Sequence, residues 1–428
     1  MMTTPPPACA QHRIAGREAI THGSQVRPLR REGTDRLAAG LPRAVLLDPN
    51  DGCLTIARRL AARGVEVVAL CPPTSSWVGR SNALRAVSVG PLPVRAEDSW
   101  LPALSALADR DGVLICGSDA ASEFLCRHRP AVPGELRSFE GPATAHLRLM
   151  DKDDLYELAT GVGVRVPASF RIDSPADLDL IERAELSAPC VAKPVMGHVG
   201  RRSGDFATRL LPDAAAVRAH LRAALDAGIP MLVSEHVPGP TTALEGAITL
   251  RAADGTWPVD AGRRKIRDYD HGVGSLVEAW DAVEARQLAR RILEASDYVG
   301  LAATEFKRHA VTGQLYLIEI NVRVPQYFGV YDAAGVDAAW RLYATLAELP
   351  VGEQPALREG VRVWMPQHDL HVVREMRRQQ ALGLREIVAP LAGVRDFGAW
   401  SWRDPKPALE LARAELSRAR RKRSRRAD

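Results

Sequence analysis

The 428-residue chain exceeds the size of one ordinary hydrophobic core, so two or three domains are expected. Its 46% hydrophobic and 25% charged residues are typical of a soluble globular protein, and no apolar run approaches the roughly 18 residues that span a bilayer. The net charge of +5 comes from the two ends of the chain, so it carries little information about an active site.

Residues 1–40 lack apolar periodicity and contain Pro5-Pro6-Pro7, which predicts a disordered leader. A basic start followed by an apolar core would indicate a secretory signal, and this pattern is missing from the N-terminal sequence. A cytoplasmic location is therefore expected. The six cysteines are scattered without Cys-x-x-Cys spacing, which favours reduced, mostly buried thiols.

The first predicted domain covers residues 41–142 and has the pattern of a parallel sheet. A strand at Ala44–Asp48, a helix at Asp51–Ala62 and a strand at Val65–Leu70 form a β-α-β unit. A further strand at Gly112–Cys116 leads into a helix that begins near Ser118-Asp119. Ligands of such sheets bind at the carboxyl ends of the strands, and the lack of Gly-x-Gly-x-x-Gly disfavours a dinucleotide.

The second predicted unit covers residues 143–235 and ends its central strand on a lysine. Its predicted elements are a helix at Lys152–Thr160, strands at Ala168–Ile172 and Cys190–Lys193, a glycine-containing loop to Gly204, a helix at Pro212–Ala227 and a strand at Met231–Glu235. Backbone amides of such a loop can approach phosphate oxygens, and Lys193 can add a point charge. A cationic surface loop would show the same local sequence.

Residues 236–365 form a third, mostly antiparallel unit, and residues 366–428 a C-terminal helical extension with a basic tail. The Pro/Gly hinge after Glu235 and Val237 could read an adenine edge with its backbone, and Glu245 could accept from ribose hydroxyls; an inter-domain linker would look the same. The run Arg418–Arg426 could contact nucleic acid, an acidic partner or a membrane surface, or be a solvated helix end. Nucleic acid is not the favoured partner.

A hairpin in the third unit carries the strongest local signal. Strands at Leu301–Arg308 and Gln314–Asn321 flank a turn at Thr312-Gly313, which predicts that Glu305 lies opposite Glu319. Asn321 follows Glu319 on the same face. Two carboxylates and an amide are hard oxygen ligands, and they suit Mg²⁺ bridged to substrate phosphates. An incidental solvated hairpin is the alternative.

The order of these motifs resembles that of an ATP-grasp carboxylate–amine ligase over roughly residues 44–350. The resemblance implies an α/β (α+β) ATP-grasp fold with an N-terminal parallel-sheet, or pre-ATP-grasp, domain. It assigns ATP phosphates to Lys152 and Lys193, adenine to Glu235 and Val237, and ribose to Glu245. The metal ligands it implies are Glu305, Glu319 and Asn321, for Mg²⁺ or alternatively Mn²⁺.

The same resemblance gives Arg323 a position facing the transferring phosphoryl group, with Lys265 assisting at the phosphates. After Arg323 the sequence is Val-Pro-Gln-Tyr-Phe and not the Ile-Gln-Val-Glu-His of biotin-dependent carboxylases, which disfavours bicarbonate as the substrate. The implied reaction joins a small-molecule carboxylate to an amine through an acyl phosphate. A small-molecule kinase and a non-catalytic nucleotide-binding protein are alternatives, and a homodimer is compatible with the sequence.

Overall fold

The structure is a computed structural model, and it describes residues 40–92, 96–139, 141–179, 189–202, 206–269, 273–379 and 383–427. The predicted leader lies outside the described residues, apart from Gly40. Three sheets organise the described chain, in the order parallel, small antiparallel and large mixed. Their edges meet around one cavity.

The first domain is the predicted parallel sheet, with strand order β3-β2-β1-β4-β5. Strands β1 and β2 are buried along their length and apolar except for Arg43, as expected of parallel strands covered on both faces. Its elements are β1 (Arg43–Leu47), α1 (Asp51–Ala61), β2 (Val67–Cys71), β3 (Arg85–Ser88), α2 (Leu101–Ser105), β4 (Gly112–Cys116), α3 (Asp119–Arg127) and β5 (Leu136–Arg137). Helix α3 begins where Ser118 accepts a hydrogen bond from the amide of Ala121, so α3 starts directly after β4.

A four-stranded antiparallel sheet of order β6-β9-β7-β8 forms the second unit. Its elements are α4 (Ala143–Met150), α5 (Lys152–Gly161), β6 (Ser169–Ile172), β7 (Cys190–Pro194), α6 (Gly197–Arg202), β8 (Arg209–Leu211), α7 (Ala214–Asp226) and β9 (Met231–Glu235). The prediction of a loop after β7 is wrong for Gly197–Arg202, which form α6. Contact of His198 with α3 is a tertiary interaction that overrides the low helix propensity of glycine.

The third sheet has seven strands in the order β14-β13-β10-β11-β12-β15-β16. Its strands are β10 (Leu244–Arg251), β11 (Val259–Tyr269), β12 (Val273–Ala279), β13 (Gly300–Arg308), β14 (Leu315–Asn321), β15 (Arg362–Trp364) and β16 (Val394–Asp396). Strand β12 was not predicted from the sequence. The C-terminal extension was predicted to be helical, whereas β16 adds a strand parallel to β15.

The remaining helices cover this sheet or follow it. They are α8 (Val283–Ala295), α9 (Gly329–Ala333), α10 (Ala338–Leu346), α11 (Pro366–Gln379), α12 (Leu384–Val388) and α13 (Lys406–Ala427). Helix α8 buries Ala285, Ala289 and Ile292, a helical spacing that places one apolar face on β10 and β13. The face of the sheet away from α8 is left to form the site.

Two further expectations can be compared with the structure. Five of the six cysteines are described and all five are free, four of them buried and Cys116 half-buried, as predicted. Within the described part of the chain, no helix combines the length and the apolar character that crossing a membrane requires.

Candidate active site

The hairpin predicted around Thr312 is formed by β13 and β14. Glu305 pairs with Glu319 in the strand register, and Asn321 follows two residues later, opposite Ala303. Gly313 makes the turn with a φ of 71°, a left-handed conformation that glycine adopts without strain. The predicted register is confirmed, and the two carboxylates and the amide occur on one face of the hairpin.

Two buried cations neutralise Glu305. Arg263 Nη2 lies 2.6 Å from one carboxylate oxygen, and Lys265 Nζ lies 3.0 Å from the carboxylate. Both come from β11, where a spacing of two residues puts them on the same face of the strand. Burial raises the pKa of Glu305, but Lys265 and Arg263 outweigh burial and bring it to about 2. Glu305 is therefore a carboxylate at any physiological pH.

Glu319 begins a chain of polar contacts that ends in the first domain. Asn321 Nδ2 donates to Glu319 Oε1 at 3.0 Å, and Arg323 Nη2 donates to Asn321 Oδ1 at 3.0 Å. Arg323 Nε in turn donates to Asp119 Oδ1 at 3.0 Å. Burial opposes the charge of Arg323, but Asp119 and Glu319 more than compensate and raise its pKa. The guanidinium is thus held in one orientation beside the hairpin carboxylates.

The two predicted phosphate lysines are both buried. Lys193, near the end of β7, donates to the hydroxyl of Tyr156 at 2.6 Å and to the carbonyl of Ile318 at 3.1 Å. Burial lowers its pKa to about 8, against the opposing effect of Glu319 and Glu305. Lys152, the first residue of α5, lies with Nζ 3.5 Å from the carbonyl of Val195, directly after β7. Both ammonium groups therefore stand at the same end of the small sheet.

A cavity of about 440 Å³ lies between the small sheet, the large sheet and the first domain. Nine of the ten predicted site residues line it: Lys152, Lys193, Glu235, Val237, Lys265, Glu305, Glu319, Asn321 and Arg323. Asp119 from α3 and the segment Pro325–Tyr327 close the end near Arg323. The cavity is large enough for a nucleotide and a small second substrate.

The hinge forms the other end of the cavity. Glu235 pairs through its backbone amide with the carbonyl of Ala168, and its carboxylate accepts from the amide of Ala168 at 3.1 Å. Val237 is buried and lines the cavity. Lys307 Nζ lies 3.3 Å from His236 Nε2, so this end also carries a lysine–histidine contact that the sequence did not predict.

The structure does not bring Glu245 to the cavity. Glu245 pairs with Phe306 across β10 and β13, and Phe306 belongs to the core under α8. Because side chains alternate along a strand, Glu245 faces α8, and its carboxylate accepts from Arg308 Nε at 2.9 Å. Arg308 also bonds Glu284 of α8. This geometry gives no support to a ribose contact for Glu245.

Three contributors to the site were missed from the sequence. Tyr156 lies four residues after Lys152 on α5, a helical spacing that could have indicated a shared face. Arg263 precedes Lys265 by two residues on one strand, so strand periodicity could have found it. Asp119 lies just after β4, at the carboxyl end of the parallel sheet where ligands were expected, but its contact with Arg323 depends on the packing of two domains and was not predicted.

The donor set fits a divalent metal ion. Glu305, Glu319 and Asn321 supply hard oxygens, which Mg²⁺ prefers. Within the described residues, no group of three or more His, Cys, Asp or Glu side chains is placed to hold a metal. The two carboxylates would therefore need the amide oxygen, waters or substrate phosphates to complete a coordination shell, as is usual for Mg²⁺.

No protein-family model matches the chain, and no curated protein matches it either. Solved structures do match the chain. The ADP complex of N5-carboxyaminoimidazole ribonucleotide synthetase has a TM-score of 0.60 and 19% identity, covering 79% of this chain and 86% of that chain. The biotin carboxylase from Campylobacter jejuni has a TM-score of 0.58 and 15% identity, covering 76% and 75%.

An L-amino acid ligase from Bacillus licheniformis is similar to the same extent. Its TM-score is 0.59 at 16% identity, covering 75% of this chain and 79% of that chain. At such identities the likeness concerns the fold. The chain has the ATP-grasp fold that the sequence motifs predicted.

Proposed function

We propose that the protein is an ATP- and Mg²⁺-dependent ligase that joins a carboxylate to an amine and releases ADP and phosphate. The observation that carries this proposal is the convergence of cationic and acidic side chains, separated by up to 204 positions in the sequence, on one cavity. Lys152 and Lys193 come from α5 and β7, Arg323 follows β14, and all three line the cavity that Glu305 and Glu319 also line. A binding module for nucleotide alone has no need of such a carboxylate pair.

The chemistry divides an unfavourable substitution into two easier steps. A carboxylate is a poor electrophile, because its negative charge repels an attacking amine. One carboxylate oxygen first attacks the γ-phosphorus of ATP, the bond to the bridging oxygen breaks, and ADP leaves. The amine then attacks the carbonyl carbon of the acyl phosphate, inorganic phosphate leaves with the bonding pair, and the amine loses a proton.

The residues of the cavity stabilise charge in these steps. Lys152 and Lys193 would hold the phosphates of ATP at the end of β7, and Arg323 would face the phosphoryl group in transfer. Asp119 and Asn321 fix the guanidinium of Arg323, so little reorganisation is needed when charge develops. Glu305, Glu319 and Asn321 would hold Mg²⁺, which would supply positive charge against the negative charge of the phosphates.

The backbone of the hinge supports the placement of the base. Glu235 and Val237 line a slot at one end of the cavity, where the Val237 side chain is buried. Such a slot suits a purine ring, with backbone groups of the hinge reading its edge. Lys307 and His236 lie at the same end and are candidates for contacts to the sugar, whereas the carboxylate of Glu245 bonds Arg308 on the α8 side of the sheet.

The test is a screen of amino acids and small carboxylates in pairs, with ADP and inorganic phosphate measured separately. The proposal predicts that one pair stimulates release of both in equal amounts. ADP formed without free phosphate, from an alcohol substrate, would instead indicate a kinase. If the protein binds ATP and Mg²⁺ but no pair stimulates turnover, the ligase proposal fails.

Glu319→Gln provides the control that links turnover to the site. It removes a carboxylate charge with almost no change in volume. The matched control is Glu284→Gln, because Glu284 is an exposed carboxylate on α8, on the far side of the sheet. We expect Glu284→Gln to retain activity, and a fully active Glu319→Gln would contradict the metal assignment.

A further inference from the structure

Helix α3 of the first domain contacts both sides of the phosphoryl-transfer end of the cavity. Asp119, Ser122 and Glu123 are spaced by three and four residues, so they share one face of α3. Asp119 accepts from Arg323, and Ser122 Oγ donates to the carbonyl of Val322 at 2.8 Å. One turn along, Glu123 meets His198 of α6. A single helical face thus connects the end of β14 to α6.

The contact between Glu123 and His198 is short and mostly buried. Oε2 of Glu123 lies 2.6 Å from His198 Nε2, and the His198 side chain is only 8% exposed. The pKa of Glu123 is lowered to about 2, and the hydrogen bond with His198 is the largest cause. Glu123 also pairs with Arg127, but the Arg127 side chain is 57% exposed, so that pair contributes little. Loss of the buried partner, His198, would leave the carboxylate of Glu123 without its buried hydrogen bond.

Helix α6 occupies the position from which it can cover the phosphates. It connects β7, which carries Lys193, to β8, and Gly197 and His198 both line the cavity. His198 therefore has one side toward the cavity and its Nε2 bonded to the first domain. Opening α6 away from the cavity would require this bond to break.

We propose that Glu123 is a positioning residue that holds α6 closed over the ATP phosphates through His198. This inference rests on the proposed function, in which closure matters because an acyl phosphate exposed to water hydrolyses. Asp119, on the same face of α3, holds Arg323. Helix α3 therefore sets the distance between α6, which covers the site, and Arg323, which faces the transferring phosphoryl group. The first domain then contributes to turnover without supplying a reacting group.

Hydrogen–deuterium exchange of residues 197–202 tests this role without requiring turnover. The variants are Glu123→Ala, the conservative Glu123→Gln, His198→Gln, and Arg127→Gln as the matched control. We expect Glu123→Ala and His198→Gln to raise exchange in this segment by about tenfold, because each removes a buried contact that opposes opening. Glu123→Gln, which keeps an acceptor oxygen, should restore part of the protection, and Arg127→Gln should behave as the wild type.

Measurements with and without a non-hydrolysable ATP analogue and Mg²⁺ separate this proposal from the proposed function. We expect the analogue to protect the segment in the wild type and to protect it less in Glu123→Ala. Equal exchange in the wild type, Glu123→Ala and His198→Gln would overturn the positioning role. If the wild type binds no analogue, the proposed function fails, whereas the comparison without nucleotide still decides whether Glu123 holds α6.

Turnover gives a second readout once a substrate pair is known. Loss of closure should lower the yield of amide per ATP consumed by several-fold, because water then competes with the amine for the acyl phosphate. Unchanged coupling in Glu123→Ala, with α6 shown by exchange to be open, would contradict the proposed consequence of closure. A merely structural role for Glu123 would lower stability without changing this ratio.

Discussion

The two ends of the cavity are built on different principles. At the transfer end, near Arg323, each charged side chain is fixed by another: Arg263 and Lys265 hold Glu305, and Asp119 holds Arg323. At the hinge end, the buried Val237 side chain and the backbone of the hinge border the cavity, next to the contact between Lys307 and His236. A network of charges tolerates little displacement, whereas an apolar slot tolerates modest changes of shape.

This difference predicts which kinetic parameter each end controls. Groups that interact with charge developing in the transition state affect kcat, whereas groups that hold the base equally in both states affect KM. Variants at the transfer end should therefore change kcat, and variants on the far side of the sheet should change neither parameter.

The largest effect is expected for Glu319→Gln. Loss of one carboxylate of the pair should lower kcat by about 10²–10³-fold, because the site then loses both metal affinity and charge stabilisation. Steady-state release of ADP measures it, at Mg²⁺ concentrations high enough to test for rescue. A decrease below about threefold at all Mg²⁺ concentrations would remove Glu319 from the transfer end.

Arg323→Lys should lower kcat by about 10²-fold, even though it keeps the positive charge. The planar guanidinium bonds Asp119 and Asn321 at the same time, and an ammonium group cannot reproduce that geometry. Single-turnover formation of ADP provides the measurement, with ATP affinity determined separately. If Arg323→Lys retained full kcat, charge alone would explain the role of this residue.

The pH dependence of ATP binding should reflect Lys193. Burial lowers the pKa of Lys193 to about 8, so the free protein carries this charge below pH 8 and loses it as the pH rises through that value. The Kd for ATP should then increase by up to about tenfold per pH unit above 8. Calorimetric titration from pH 7 to 9.5 tests this expectation. Lys193→Met should bind more weakly at pH 7 and abolish the dependence; an unchanged pH profile in Lys193→Met would assign it to another group.

The smallest effect is expected for Glu245→Gln. Its carboxylate bonds Arg308 on the α8 side of the sheet, so we expect the KM for ATP to change by less than about threefold and the free energy of unfolding by about 1 kcal/mol or less. Steady-state kinetics measures the KM for ATP, and urea denaturation measures the free energy of unfolding. A tenfold increase in KM would restore the ribose role that the motif order implied.

The comparison of the two ends also explains what the sequence could predict. The Glu305–Glu319 register follows from strand periodicity about a single turn, and the strand-end Lys193 follows from one apolar run, so local patterns suffice for both. The parallel direction of the strands in the first sheet was also predicted from a local pattern, the β-α-β unit. These features depend on residues close together in the chain.

Local spacing could have indicated Tyr156 and Arg263, whereas the other missed features depend on long-range packing. Whether Glu245 faces the cavity or α8 is decided by one step of strand alternation, and the motif order does not contain that information. Helix α6 forms against α3, and the contact of Glu123 with His198 joins positions 75 residues apart. Strand β16 pairs with β15 only after the C-terminal segment has folded back.

The central claim, that the cavity is an ATP site with its phosphates at the transfer end, is tested most directly by calorimetric titration with Mg·ATP. We predict one binding site per chain in the wild type and an affinity at least about 100-fold lower in Lys152→Met/Lys193→Met, because two charged hydrogen-bond donors are lost. A Glu284→Gln control should bind as the wild type. Equal affinities in the wild type and the double-lysine variant, or no binding to the wild type, would contradict the account.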